Sequence, residues 1–337
     1  HDSVPVRCTQ NATAGEEWRR GWHPERFAPA TEEGPVLVIG GGPAGLEAAL
    51  VLARRGVEVS LADQREELGG RLCFETRLPG LAAWDRVRAY RLHALRQMDN
   101  VALYPGSHLS ADDVLAMEHP RVAIATGARW TRSLWSRLEI PFGRLEHPAV
   151  CTPDDVAEGR LPEGPVLVYD FDNYYLGGVL AEFLADQGLE VHYATPAGHV
   201  SAWTIMTNEQ PYVHEALQRR GIGWSTLSVL TAFDGSTATL EGVFDASQQA
   251  HPCRSVLLVG HRSPRDELKR DLEARRAEWA DAGIHSVQTI GDARAPGALV
   301  HAVYSGHEYA REFDAETERR WLRDQPITGE PPGPAYS

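Results

Sequence analysis

A short apolar run, Val36-Leu37-Val38-Ile39, ends in Gly40-Gly41-Gly42-Pro43-Ala44-Gly45, and no other feature of the chain restricts its fold so tightly. Apolar Leu46, Ala49, Leu50 and Ala53 follow at helical spacing, Gly56 stops the helix, and a strand from Val57 to Ala62 ends at Asp63. Strand, glycine turn, helix, strand and terminal acid in that register make up the dinucleotide-binding fingerprint. Gly40 is expected to form the tight turn, Gly42 to leave room for phosphate, and Gly45 to let helix and strand pack closely. Pro43 and Ala44 then open a helix whose unpaired N–H groups face an anion. Asp63 stands where a ribose hydroxyl would sit, and Gly70 and Arg71 complete the candidate contacts on this side.

The pattern recurs without its glycines. Pro165-Val166-Leu167-Val168-Tyr169 leads to an apolar helix through Leu180, Phe183 and Leu184, stopped at Gly188 and followed by a strand from Leu189 to Ala194. Asp170, Asp172 and Tyr175 replace the three glycines, and Thr195 replaces the strand-tip acid. Two carboxylates facing a diphosphate at short range repel it, so this turn is expected to exclude a dinucleotide. Asp172 and Asn173 are read as helix-capping residues.

With 337 residues, the chain is long enough for about two domains with separate cores. Its formal charge of −14 argues against nucleic acid or an anionic membrane as a partner. No apolar run approaches the ~18 residues that span a bilayer. Cys8, Cys73, Cys151 and Cys253 lie far apart with no CxxC pair, giving neither a metal site within the chain nor a disulfide framework. A reducing, cytoplasmic setting is the expectation. The first residue is His1 rather than methionine, so the chain is expected to begin within a longer polypeptide. Its 14 histidines show no zinc spacing, and no catalytic side chain is assigned.

Alternating strands and helices from Val36 onward predict an α/β fold with parallel sheets covered on both faces. Capped helix starts are expected at Ser110 with Asp113, at Thr152-Pro153 with Asp155, and at Ser263-Pro264 with Asp266. A late strand ending in Gly291-Asp292, followed by a helical run from Gly297 to Phe313, returns the chain to its first domain. Residues 31–160 and 254–318 are therefore expected to form one nucleotide-binding domain. Residues 161–253 are expected to form a degenerate copy inserted within it, residues 1–30 a connecting arm, and residues 319–337 a tail. Thr126, Gly127 and Asp292 are candidates to line the rest of the nucleotide cleft.

The stretch from Arg7 to Glu25, reading Arg7-Cys8-Thr9-Gln10-Asn11-Ala12-Thr13-Ala14-Gly15-Glu16, then Glu17-Trp18-Arg19-Arg20-Gly21-Trp22-His23-Pro24-Glu25, resembles one found in a single family. This is the trimethylamine, dimethylamine and histamine dehydrogenases, in which the stretch joins barrel to nucleotide domains. The resemblance extends through Gly40 to Gly45, Leu78-Pro79-Gly80, Ala125 to Trp130, Tyr169 to Tyr175, and Gly291-Asp292-Ala293, and is greatest toward the histamine dehydrogenase branch. It implies an N-terminal barrel with covalent FMN, a 4Fe-4S cluster, and two glutathione-reductase-like Rossmann-type domains. The first of these would hold ADP where other relatives hold FAD, and the second would hold no nicotinamide. Cys8 matches the fourth cluster ligand, although taken alone it would be read as an idle thiol. The other three ligands, the barrel and its flavin-linking cysteine lie outside the chain. An electron-transferring flavoprotein or a cytochrome is the implied acceptor, and a homodimer the implied assembly. Arg86 falls near the position of the family's flavoprotein-docking tyrosine, which is a departure. The rival expectations are an FAD- and NADPH-dependent reductase of the dienoyl-CoA reductase kind, and a non-catalytic nucleotide-binding scaffold.

Overall fold

The computed structural model describes residues 7–16, 20, 22, 26–32, 34–134 and 145–315. Parts of the Arg7–Glu25 stretch and the expected tail lie outside these residues. The chain forms two compact units, the first from residues 1–73, 84–128 and 264–337, the second from residues 74–83 and 129–263.

In the first unit five parallel strands pair in the order Ser286–Thr289, Arg121–Ile124, Val36–Ile39, Val59–Ala62, Val101–Tyr104. The central strand is wholly buried, and its alternate side chains enter two separate cores because successive residues point to opposite faces. Val36 and Val38 join Leu46, Leu50, Tyr309 and Ala310, from the helices Pro43–Arg54 and Leu299–Glu312. Leu37 and Ile39 join Val114, Leu272 and Trp279 on the other side. The chain leaves the central strand toward Val59–Ala62 on one side, while Arg121–Ile124 lies on the other. The C-terminal end of Val36–Ile39 is thus the switch point at which open α/β sheets bind ligands.

The second unit has five parallel strands in the order Val150–Cys151, Ser255–Val259, Val166–Asp170, Val191–Ala194 and Gly223–Ser225; the last four repeat the first unit's order, while the edge strand Val150–Cys151 comes before them in sequence instead of after. A three-stranded antiparallel sheet, Ser228–Phe233, Thr237–Gly242 and Gln248–Pro252, packs Leu230 and Leu240 against Leu167 and Tyr169. The division of the chain differs from the expected 161–253. Ser255–Val259 pairs with the second sheet, which draws in Val150–Cys151 as its edge, so the unit runs from Arg129 to Ser263. Residues 74–83 also belong to it. Phe74 meets Phe183 edge-on, and Glu75 accepts a hydrogen bond from the Tyr175 hydroxyl at 3.0 Å.

Two of the three expected caps form: the Asp113 carboxylate accepts the Ser110 N–H, and that of Asp155 accepts the Thr152 N–H. The third does not, because Ser263 and Pro264 lie in the strand Arg262–Pro264 and the helix Glu267–Ala274 starts after Asp266 without a side-chain cap. In the expected connecting arm, several of the described residues are packed in place. Ala12, Thr13, Glu16 and Trp22 are buried, and Arg20 pairs with Glu308 at 2.6 Å and Glu312 at 2.7 Å on the last helix.

That last helix crosses the first at Gly306, and Gly291, in the turn Gly291–Ala293 that precedes it, packs against the same residue of the first helix. A Cβ on Gly306 would lie 2.1 Å from the Ala44 carbonyl oxygen, and one on Gly291 would lie 2.6 Å from the Ala44 Cβ. Gly306→Ala therefore forces the helices apart and is expected to lower stability by about 1–3 kcal/mol. Chemical denaturation checks this, and an unchanged midpoint would refute the contact.

Candidate functional site

The turn after Val36–Ile39 uses each glycine differently. Gly40 sits at φ +110°, and a Cβ there would lie 2.4 Å from the Ala125 carbonyl oxygen, so backbone angle and space both demand glycine. A Cβ on Gly45 would lie 1.9 Å from the Gly40 carbonyl oxygen, which brings the first helical turn down onto the strand end. Gly42 is neither strained nor crowded. It has an ordinary φ of −75°, and its Cβ would meet only the Gly70 Cα at 3.8 Å. Gly70, at φ +59°, faces it and would in turn place a Cβ 2.9 Å from the Gly42 Cα. Packing thus explains Gly40 and Gly45, while Gly42 keeps a space clear in front of the helix. No side chain caps this helix and Pro43 occupies its first turn, so the N-terminal N–H groups and the positive end of the helix dipole are left for an anion.

The other expected residues gather around this turn in two sets. Asp63 is buried, and its two carboxylate oxygens accept the N–H groups of Gly41 at 2.6 Å and Arg65 at 2.7 Å. These bonds fix its direction beside the turn and leave lone pairs for a hydroxyl donor. Arg71 lies 3.9 Å from the Asp292 carboxylate, which accepts the Gly297 N–H at 3.0 Å just before the last helix. Thr126 is less available than expected. Its hydroxyl donates to the Arg265 carbonyl at 2.5 Å, and the Arg265 N–H donates to the Gly127 carbonyl at 2.9 Å, so the pair ties down the crossover. Gly127 has φ +76° and an open Cβ position, so its backbone angle alone accounts for the glycine. Sequence reasoning read Gly291 only as a strand end and missed Gly306; both seat Ala44. A glycine in the middle of the last helix, where it costs helix stability, was the available signal.

The second turn differs from its expected picture. Asp170 does not face outward: it is fully buried beneath the helix Tyr175–Asp186, and a Cβ on Gly177 would lie 2.4 Å from its carboxyl carbon. Its carboxylate accepts the Tyr193 hydroxyl at 2.5 Å and the Asn173 N–H at 2.9 Å. Burial, reinforced by the negative charge of Asp172, pushes its pKa up to about 7. Asn173 does not cap the helix as expected. Tyr174 precedes the helix without a side-chain cap, while the Asn173 side chain donates to the Phe171 carbonyl and accepts from the Thr195 hydroxyl. The turn is then covered by the chain itself. The Trp203 N–H donates to the Asn173 carbonyl at 2.8 Å, the Ser201 N–H donates to the Tyr193 hydroxyl at 3.1 Å, and Val213 and Ser201 lie where a Cβ on Gly178 would go. Internal filling, rather than charge repulsion at an open mouth, closes this turn.

Cys8 is half-buried, and its sulfur accepts the N–H groups of Gln10 at 3.4 Å and Asn11 at 3.5 Å. Paired backbone donors of this kind stabilise a ligating thiolate. Among the described residues no group of three or more metal-ligating side chains forms, so the chain offers one such ligand and not a complete set. No helix of the described residues is long and apolar enough to cross a membrane.

Residues 34–306 match the family model for pyridine nucleotide-disulphide oxidoreductases. Dimethylamine dehydrogenase of Hyphomicrobium sp. (strain x) is 37% identical over 97% of this chain and 48% of its own length. The structure of histamine dehydrogenase from Rhizobium sp. 4-9 superposes with a TM-score of 0.89 at 42% identity, covering 95% of this chain and 51% of that one. The 6-hydroxypseudooxynicotine amine oxidase of Pseudomonas geniculata N1 gives a TM-score of 0.87 at 41% identity, covering 91% and 46%. The chain spans about half the length of these relatives.

The buried Asp170 sets a pH dependence. An acid whose pKa is raised by folding is protonated in the fold while the unfolded chain, near pKa ~4, is already ionised. Stability is therefore expected to fall as pH rises from ~4 to about 7 and then to level off. Asp170→Asn keeps a polar partner for Tyr193 and Asn173 but carries no charge, so its stability should change less over that range, by a difference on the order of a few kcal/mol. Denaturant titrations at pH 5 and pH 8 test this, and equal pH dependence in both proteins would refute it.

Proposed function

The chain belongs to the pyridine nucleotide-disulphide oxidoreductase family, and from that premise we propose that it is the nucleotide-holding portion of an iron–sulfur flavoprotein amine dehydrogenase. The observation that supports this most directly is Gly42, a position where a side chain would fit the fold and glycine instead leaves the helix start open. Gly40, Gly42, Pro43, Ala44 and Gly45 would cradle the diphosphate of an ADP, with Gly70 and Arg71 along its flank and the ribose on Asp63. Asp292 would meet a ribityl chain only if FAD took the place of ADP. The nucleotide is structural in this reading, since the closed turn at Asp170 leaves no counterpart cradle for a nicotinamide coenzyme. That closure favours the amine dehydrogenase reading over a reductase fed by NADPH.

Cys8, with two N–H groups on its sulfur, fits one ligand of a 4Fe-4S cluster. The cluster, when bound, supplies one-electron transfer. Amine oxidation would take place on FMN in a barrel beyond this chain, with an electron-transferring flavoprotein or a cytochrome as acceptor. A homodimer and a cytoplasmic setting complete the reading, in keeping with four cysteines that form no disulfide.

Ligand extraction with mass spectrometry tests the assignment: ADP is expected, and FAD would favour the reductase. Gly42→Ala should leave thermal stability unchanged, because the new methyl meets only Gly70. It should weaken ADP binding by about tenfold, or about 1.4 kcal/mol. Full ADP affinity in this variant would overturn the cradle.

A further inference from the structure

The turn carrying Cys8 is fastened to the helix that starts at the glycine cradle, and the fastening is buried. Arg91, on the helix Asp85–Leu95, is fully buried and extends three arms. Its Nε donates to Glu47 at 2.6 Å, one Nη donates to the Val87 carbonyl at 2.7 Å, and the other reaches the Thr9 carbonyl, one residue past Cys8, at 3.2 Å. Glu47 lies on Pro43–Arg54, the cradle helix, and its second oxygen pairs with His307 Nδ1 at 2.7 Å. Arg311 donates to His307 Nε2 at 3.1 Å, which leaves Nδ1 to donate to Glu47. His307 and Arg91 hold the Glu47 carboxyl below the usual carboxylate range, against the upward push of burial. One ionised carboxylate therefore anchors three helices, and a guanidinium carries that anchorage to the backbone beside Cys8. Ala12 completes the seating by packing with Leu72, Val87, Leu299 and Val303.

A buried ion pair rarely adds net stability over an apolar replacement, so its presence calls for another explanation. A rigid planar fork that satisfies a carboxylate and two carbonyls at once fixes direction more firmly than apolar contact does. We propose that Arg91, oriented by Glu47, is a positioning residue for Cys8: it sets the Thr9 carbonyl, and with it the aim of the Cys8 sulfur, relative to the nucleotide cradle. This rests on the reading of Cys8 as a cluster ligand.

The test uses the full-length enzyme that contains the barrel. Iron and acid-labile sulfide per chain, the electron paramagnetic resonance spectrum of the reduced cluster, and its rate of loss to a chelator are measured beside ADP content. Arg91→Met leaves Glu47 buried without its main partner and can unfold the protein, so the deciding variant is Glu47→Gln/Arg91→Met, which removes both charges. Loss of the cluster to chelator should speed up about 10-fold or more, the usual scale for an outer partner of a metal ligand, with an altered spectrum and full ADP content. Arg91→Lys, which cannot span the same three acceptors, should fall between this variant and the native enzyme. Native stability and spectrum in the double variant would overturn the proposal. Parallel loss of iron and ADP would also overturn it, by placing the pair in general folding. Failure of the underlying reading looks different: the unaltered enzyme would contain no iron, or Cys8→Ala would keep its cluster unchanged.

Discussion

The approach of Gly45 to the Gly40 carbonyl, closer than any Cβ allows, is the constraint from which the first unit follows. It forces the helix to begin directly over the strand end, so the helix N-terminus and the switch point of the sheet coincide. Once the helix is that low, Ala44 becomes the floor on which Gly291 and Gly306 must sit, and the last helix is drawn across the first. Binding geometry and core packing are therefore one problem. A glycine that admits phosphate and a glycine that admits a neighbouring helix stand within the same few residues.

The same helix reaches toward the N-terminal arm. Glu47, about one turn in from the cradle, meets Arg91 and His307, and Arg20 fixes the arm to Glu308 and Glu312. Electrostatic contacts near the protein surface are individually weak. Glu47, Arg91, His307 and Arg20 are largely desolvated and share partners, so they act as a frame in which losing a partner leaves a buried polar group behind. The described residues of the arm are packed parts of the first unit.

Much of this was legible in the residues. Val36 to Asp63 could be read closely because a glycine turn, a helical spacing and a strand-tip acid each impose a distinct local signature, and together they leave one register. The amine dehydrogenase likeness was legible in the Arg7–Glu25 stretch. What local pattern could not show was which partner a strand chooses. Ser255–Val259 is as apolar as any strand of the first sheet, and its membership of the second is decided by neighbours far away in sequence. Asp170 was misjudged for the same reason. A carboxylate at a turn reads as exposed unless Tyr193 and Gly177 are known to enclose it. The seating of the arm was not legible because it comes from ion pairs such as those of Arg20 with Glu308 and Glu312, which have no period.

The enclosure of Asp170 has a consequence for how such a turn could change over time. Replacing that one acid by glycine would not produce a copy of the first turn. Tyr193 and the Asn173 amide would lose their acceptor, and the Ser201–Trp203 segment would still lie across the opening. Each single replacement would strand a polar group, so the closed turn holds together as a unit and opens only where several residues change at once.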